Sequence, residues 1–384
     1  MANVVKAVMG AGVFSLPWAV AQGGLLFVPL FILAAALLAL YTLSILVDAK
    51  RRLAALQPGR DAQLSSYTGI IEAALGPVWG RAAEVMNLAC CFGICSAYLV
   101  FVASTLATVL PSVGGQNTLV WAITPAMVGL AWLRSMAGVS IMAMFGNASV
   151  LLGMAFVAWF STQSPWQVAA LPMVAAHTFG SYFGSVAFLF FIHFTMPAIE
   201  ASMAQPSRFM AAATRGFGIC ATVGCAFGAL GAAAFGPGVS SVVITQLGAT
   251  KLATAVKLLL CVNLLFTFPI VCRSAFLILE SLCERAGLLL GTVHTRTLRA
   301  SFVILASTVA TSVPSFGALL NLVGGVSLSL ISLVFPPLLL LLAKDPSSST
   351  QQLLLQRSVL ERAWAALITA LGVCILIYTL VGGL

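Results

Sequence analysis

Long apolar runs alternate with short polar links along this chain, and most runs approach or exceed the roughly 20 residues that cross a hydrocarbon core as a helix. Read in order they predict eleven spans. The first is an interrupted segment around Lys6 to Gln22. Gly24 to Val47, Glu84 to Leu110, Thr118 to Leu133 and Val139 to Phe160 follow. The later ones are Ser181 to Ala204, Thr214 to Phe235, Leu252 to Leu279, Arg299 to Val313, Leu319 to Leu342 and Ala363 to Leu380. Between the second and third, Tyr67 to Arg81 is short and amphipathic with a Gly76-Pro77 break, the pattern of an interfacial helix.

The first segment, KAVMGAGVFSLPWAVAQ, carries Gly10, Gly12 and Pro17 inside an otherwise apolar run. A helix that unwinds there ends its first half in free carbonyls and begins its second with free N–H groups and a positive dipole end. One end suits a cation, the other an anion, and a zwitterion needs both. The alternative is a kinked helix whose glycines only let a neighbour pack closely.

Charge orients the pattern. With the N-terminus inside, the links at 48–66, 134–138, 205–213, 280–298 and 343–362 are cytoplasmic and hold 11 of the 18 Lys and Arg, whereas 111–117, 162–180 and 236–250 hold none. That separation follows the positive-inside rule and places the C-terminus outside or in a lumen. Composition agrees: 61% of the 384 residues are hydrophobic, 7% are charged and mean hydropathy is +1.10, which is an all-α polytopic membrane protein. The net charge of +9 is spread over the links, so no nucleic-acid surface is expected. The nine cysteines lie mostly in apolar runs and read as packing residues.

The spans also divide. Spans one to five (about 1–161) and six to ten (181–342) have similar lengths, each set opens with an interrupted segment, and each has its longest span third. An odd number per half inverts the second half relative to the first, a 5+5 arrangement that puts a transporter site at the two interruptions. Residues 343–384 add a polar connection and the eleventh helix.

Asn3 to Ala19, with Gly23-Gly24 after it, resembles the first-helix signature of the amino acid/auxin permease family, within the broader APC superfamily. Phe190-Phe191-Ile192-His193 followed by Pro197, Glu200, Met203 and Pro206 is similar to that family's sixth-helix pattern. Lys257 to Pro269 and Val313-Pro314-Ser315-Phe316-Gly317 to Pro336-Pro337 also fit. The resemblance implies a LeuT-like fold of eleven helices with discontinuous helices 1 and 6, and coupled transport of small amino acids or related amines. The sequence departs from the family's pattern in two places. Asn3 stands two residues from the start, so the tail relatives carry before it is absent here. Relatives often have a glycine just before the histidine, where this chain has bulky residues, which leaves the degree of unwinding open.

On this reading the N–H groups of Ala11, Gly12 and Val13 take a substrate carboxylate, assisted by Ser15. Carbonyls near Gly10 and around Phe190 to His193 face the amine, and Phe190, Phe191 and the stretch Cys91 to Ala97 shape the side-chain pocket. The coupling ion is a proton or sodium, and no other cofactor or metal is expected. Lys6 falls where sodium-coupled relatives carry asparagine, which favours protons; His193 and Glu200 share a helix face two turns apart, and a histidine inside a span is a functional candidate. Thr267 is the oxygen donor if sodium couples instead. Each has a plainer role: Lys6 snorkelling, His193 packing, Glu200 and Glu280 at inner helix ends. Enzyme readings fail for want of an HExxH, a GxSG or an aspartate cluster. An amino acid-sensing receptor on the same scaffold is the other reading. The unit is expected to act as a monomer in the bilayer, and nothing selects the plasma membrane over a vacuolar or lysosomal one.

Overall fold

The structure is a computed structural model that describes residues 1–384 apart from Gln57, 134–136, 289–290, Pro314, 343–358 and 383–384, and the side chains of Ala2, 137–145 and Asn147. Parts of the expected basic link at 134–138, of the turn before the tenth span and of the polar connection at 343–362 therefore lie outside the described residues. All regular elements among the described residues are helical. They are α1 (Ala2–Val8), α2 (Leu16–Gly23), α3 (Phe27–Leu56), α4 (Asp61–Leu64), α5 (Tyr67–Leu75), α6 (Pro77–Val109), α7 (Gln116–Ala131) and α8 (Ala137–Gln163). Then come α9 (Phe179–Phe190), α10 (Met196–Ala201), α11 (Phe209–Phe235), α12 (Lys251–Arg285), α13 (Thr292–Ser312), α14 (Phe316–Leu322), α15 (Phe335–Leu341) and α16 (Val359–Gly382).

Seven stretches among the described residues are long and apolar enough to cross a membrane: Phe27–Leu56, Pro77–Val109, Ala176–Ala201, Pro206–Phe235, Lys251–Arg285, Phe316–Leu341 and Val359–Val381. Helices also stand at the other expected places, as the broken α1–α2 pair, α7, α8 and α13. The Gly76-Pro77 signal marks a real boundary, because Gly76 has φ 95° and ends α5. The helix beyond starts at once, however, with Pro77 in its first turn, so residues expected in the interfacial helix belong to α6. The tenth segment also differs from expectation. Between α14 and α15 it runs through π-helical turns at Val323–Leu328 and Leu330–Val334, a widening often found at functional sites.

Small residues set how the broken segments pack. Gly224, Gly228 and Gly231 of α11 lie under Leu16, Val20 and Pro17 of α2, and Gly216 lies under Val4 of α1. With no hydrophobic drive between helices in lipid, such close approach is what holds them. On the other side, Asn321 of α14 grips α9 by accepting from Gly184 N–H at 2.9 Å and donating to the Ser181 carbonyl.

Ion pairs of Lys50, Arg51, Arg285 and Arg299 gather at one end. Lys50 Nζ meets Glu200 Oε2 at 3.0 Å with Arg51 3.7 Å from Oε1, Arg285 meets Glu84 at 2.7 Å, and Arg299 meets Glu280 at 2.7 Å. These join the C-terminal part of α3 to α10, and the end of α12 to the N-terminal parts of α6 and α13, so this basic end coincides with the links expected inside.

Candidate functional site

The first segment comes apart where its glycines stand. α1 closes with Met9 N–H on Val5 O (2.8 Å), and Gly10, with φ −97° and ψ −161°, turns the chain out of the helix. A 3-10 turn over Ala11–Ser15 then leads into α2, with Pro17 in the first turn. The first bond of the new piece is Val13 N–H to Gly10 O at 3.2 Å. The N–H groups of Ala11 and Gly12 come before it, at the positive end of the second half. Ser15 Oγ is committed locally, donating to Gly12 O at 2.7 Å. A Cβ on Gly12 would stand 2.7 Å from Phe188 Cδ1 and 3.3 Å from Leu189 Cδ1, so only glycine lets the first break meet α9.

The sixth segment breaks too, without a glycine. Phe191 N–H to Ala187 O at 2.8 Å is the closing bond of α9, and Phe191 and Ile192 then take ψ values of 52° and 28°. A 3-10 turn at His193–Thr195 joins α10, whose Pro197 sits in its first turn. The last-turn carbonyls of α9, from Phe188 to Phe190, thereby lose their helical donors.

Between the breaks is a cavity of about 200 Å³. Ala7, Val8 and Gly10 line it from the first segment, and Phe188, Ile192, Phe194 and Thr195 from the sixth. Cys91, Ile94 and Tyr98 of α6, Ile270, Val271 and Ser274 of α12, and Leu328 of the π turn complete it. None of these side chains is ionised at neutral pH; the polar ones are Thr195, Ser274, Tyr98 and Cys91. Such a volume is below that of drug-sized sites, about 300 Å³ and upward, and suits a small molecule.

The candidates read from the sequence divide accordingly. Gly10 lines the cavity, and Ala11, Gly12 and Val13 are buried immediately beyond it. Phe190 and Phe191 do not line it: Phe190 packs on Phe217 of α11 at 5.8 Å between ring centroids and Phe191 on Phe183 at 6.3 Å. Phe188 and Ile192 take that place; Phe188 and Phe190 stand on opposite faces of the same helix α9, and spacing alone does not say which face meets the cavity. Cys91 and Ile94 lie in the stretch expected to contribute from the third span. Tyr98, one residue past it, and Ser274, on a helix face no motif marked, were missed.

The ion-coupling candidates are not brought together. His193 is buried, with Nε2 2.9 Å from Thr42 Oγ1 and 3.1 Å from Ala39 O of α3, facing away from the cavity, and its Nδ1 has no partner. Glu200 is bound to Lys50 and Arg51 at the basic end. Thr267 Oγ1 donates to Asn263 O of its own helix at 2.8 Å, and Lys6 is exposed on α1.

Beyond the breaks, on the α2 side, the path is closed. Phe14 packs on Phe101 (5.8 Å) and Phe227 (6.2 Å), and Phe101 on Phe316 (5.4 Å). Over them lies the link 236–250, whose Val239, Val242, Val243, Ile244 and Leu247 are buried. Lys257 of α12, buried as well, donates to the Leu247 carbonyl at 2.8 Å and ties that link down.

Similarity to known proteins follows the same lines. Amino acid transporter AVT3C of Arabidopsis thaliana is 27% identical over 366 residues, covering 89% of this chain and 81% of the relative. Amino acid transporter AVT3B of the same plant is 26% identical, with 92% and 87% covered. Among solved structures, MhsT in complex with L-phenylalanine aligns with a TM-score of 0.51 at 16% identity over 99% of this chain and 98% of that one. A manganese transporter of Eremococcus coleocola aligns with a TM-score of 0.54 at 14% identity over 98% and 92%. At such identities these likenesses speak for the fold, which is LeuT-like, and the curated relatives are named as transporters, not enzymes. The family model described as transmembrane amino acid transporter protein matches residues 1–382, and this chain belongs to that family.

Proposed function

We propose that this protein is a secondary active transporter of neutral amino acids that works by alternating access around the cavity between its two broken helices, with protons as the coupling ion. The observation that carries the reading is the cavity itself: uncharged side chains line it, while backbone freed by two helix breaks flanks it. The N–H groups of Ala11 and Gly12 attract a carboxylate, and the last-turn carbonyls of α9, with the end of α1, attract an ammonium group. A substrate with a charged side chain finds no partner in the wall. A neutral one loses only water against Ile94, Tyr98, Phe188, Ile192 and Leu328.

The membrane arrangement that goes with this reading is eleven spans, a 5+5 inverted repeat over 1–161 and 181–342, the basic end in the cytoplasm, the C-terminus on the other side and one chain as the transport unit. His193 supports protons over sodium. It lies between two cavity-lining residues, Ile192 and Phe194, and its partnerless Nδ1 can take a proton when the 3-10 turn shifts against α3. Thr267, the sodium donor considered, keeps its hydroxyl within α12.

The test is uptake of labelled neutral amino acids into proteoliposomes under an imposed pH gradient or an imposed sodium gradient. Accumulation under the pH gradient alone is expected. Accumulation under sodium alone refutes proton coupling, and ligand binding without accumulation under either gradient favours the receptor reading.

A further inference from the structure

A second cavity, of about 110 Å³, opens near the basic end between α7, α12 and α13. Among the described residues its charged groups are Arg273, Glu280 and Arg299, and Leu130, Leu133 and Leu277 are part of its apolar wall. Two of the three charges cancel. Arg299 donates from Nε (3.0 Å) and Nη2 (2.7 Å) to Glu280 Oε1, and its guanidinium lies 5.1 Å from the Phe276 ring centre.

Arg273 is left over. It is exposed, and no hydrogen bond or ion pair engages it among the described residues. Glu84 is taken by Arg285, farther toward the end of α12. At 1.5 Å per residue its Cα stands about 18 Å along α12 from Arg285 and about 10 Å from Glu280. An arginine rooted that deep in an apolar helix is costly without an anion or water at its head. Sharing a cavity with Glu280 and Arg299 means its side chain leans toward the basic end, where the headgroups of one leaflet begin. Next to it, Leu133 and Leu277 are exposed, at 43% and 57%, and offer an apolar track.

We propose that this cavity binds the phosphate of an anionic phospholipid, with Arg273 as its ligand and the acyl chains lying along Leu133 and Leu277. A site with one uncancelled positive charge, an apolar margin and a place at the basic end fits a phosphodiester attached to hydrocarbon better than it fits a free phosphate ion, which gains nothing from the margin.

Native mass spectrometry of the detergent-purified full chain tests it, with phosphatidylglycerol, phosphatidylcholine or inorganic phosphate added in separate arms. The wild type should retain phosphatidylglycerol over phosphatidylcholine. Arg273→Gln should lower that preference about fivefold, the factor one basic residue near an anionic leaflet is worth. Arg273→Lys should keep most of it, and phosphatidylcholine retention, unchanged across the variants, reports that they are folded. Equal retention of the two lipids by the wild type, or a preference that survives Arg273→Gln, overturns the proposal. So does a phosphate adduct formed as readily as the lipid adduct, which would make the site one for the free ion.

Discussion

The two ends of the molecule close the path to the cavity by different means. On the α2 side the seal is hydrophobic: Phe14, Phe101 and Phe316 pack tilted and edge to face, and the buried Val242, Val243, Ile244 and Leu247 of the link 236–250, tied by Lys257, lie over them. At the basic end the helices are joined by ion pairs, and the cavity lies on that side of the first break, lined by Ala7 and Val8 of α1 but not by any residue of α2. Packed rings must be taken apart and rewetted together, whereas an ion pair at a wet surface can exchange its partner for water. The arrangement is therefore tight on the side away from the basic links and loosely latched toward them, as expected of a carrier whose site faces the basic end.

Substitutions can break this contrast. Phe14→Ala removes the ring at the centre of the seal and should lower stability by about 3–5 kcal/mol, the range for a buried Phe lost to Ala, seen as a fall in the midpoint of detergent-phase thermal unfolding. It should also admit thiol reagents to the cavity from the side opposite the basic links. Gly12→Val thrusts a branched side chain at Phe188 and Leu189. Uptake should fall by about a hundredfold, near the top of the range for overpacking, with insertion and yield preserved. Normal uptake by this variant would show that the first break does not meet α9 during transport.

Glu200→Gln leaves Lys50, whose side chain is 16% exposed, without its acidic partner. A loss of about 2 kcal/mol is expected, below the figure for a fully buried pair because water reaches the lysine. The same change should speed labelling of the cavity from the basic side, and a slower rate would mean the pair is not a latch. The smallest effect expected is that of Thr195→Ala, a few-fold rise in KM with kcat nearly unchanged, about 1 kcal/mol for one hydroxyl. A fall in kcat alone would move Thr195 from binding to gating.

The contrast was only partly legible in the sequence. Gly10, Gly12 and Pro17 announce the first break because each weakens a helix by itself, and the distribution of Lys and Arg announces which links share an end. The second break is harder to read, since Phe191 and Ile192 are ordinary helix residues. The contacts beside it, Gly12 against Phe188 and Gly184 against Asn321, exist only once three segments have met. For the same reason Phe188 and Ser274 carried no signal: which face of a helix looks into a cavity is decided by its neighbours. His193 drew notice as a titratable group within a span, yet its direction, toward Thr42 and Ala39, depends on α3.

Substrate is expected to occupy the cavity between the two breaks. Ser274 lines it and is exposed, so Ser274→Cys, made in a chain from which the nine native cysteines have been removed, gives a reporter there. The measurement is the rate of its alkylation by a small maleimide, with and without a saturating amino acid that the same preparation transports. Substrate should slow the reaction markedly, and a non-transported amino acid should leave it unchanged. A rate indifferent to a transported substrate would place the substrate elsewhere and contradict the account.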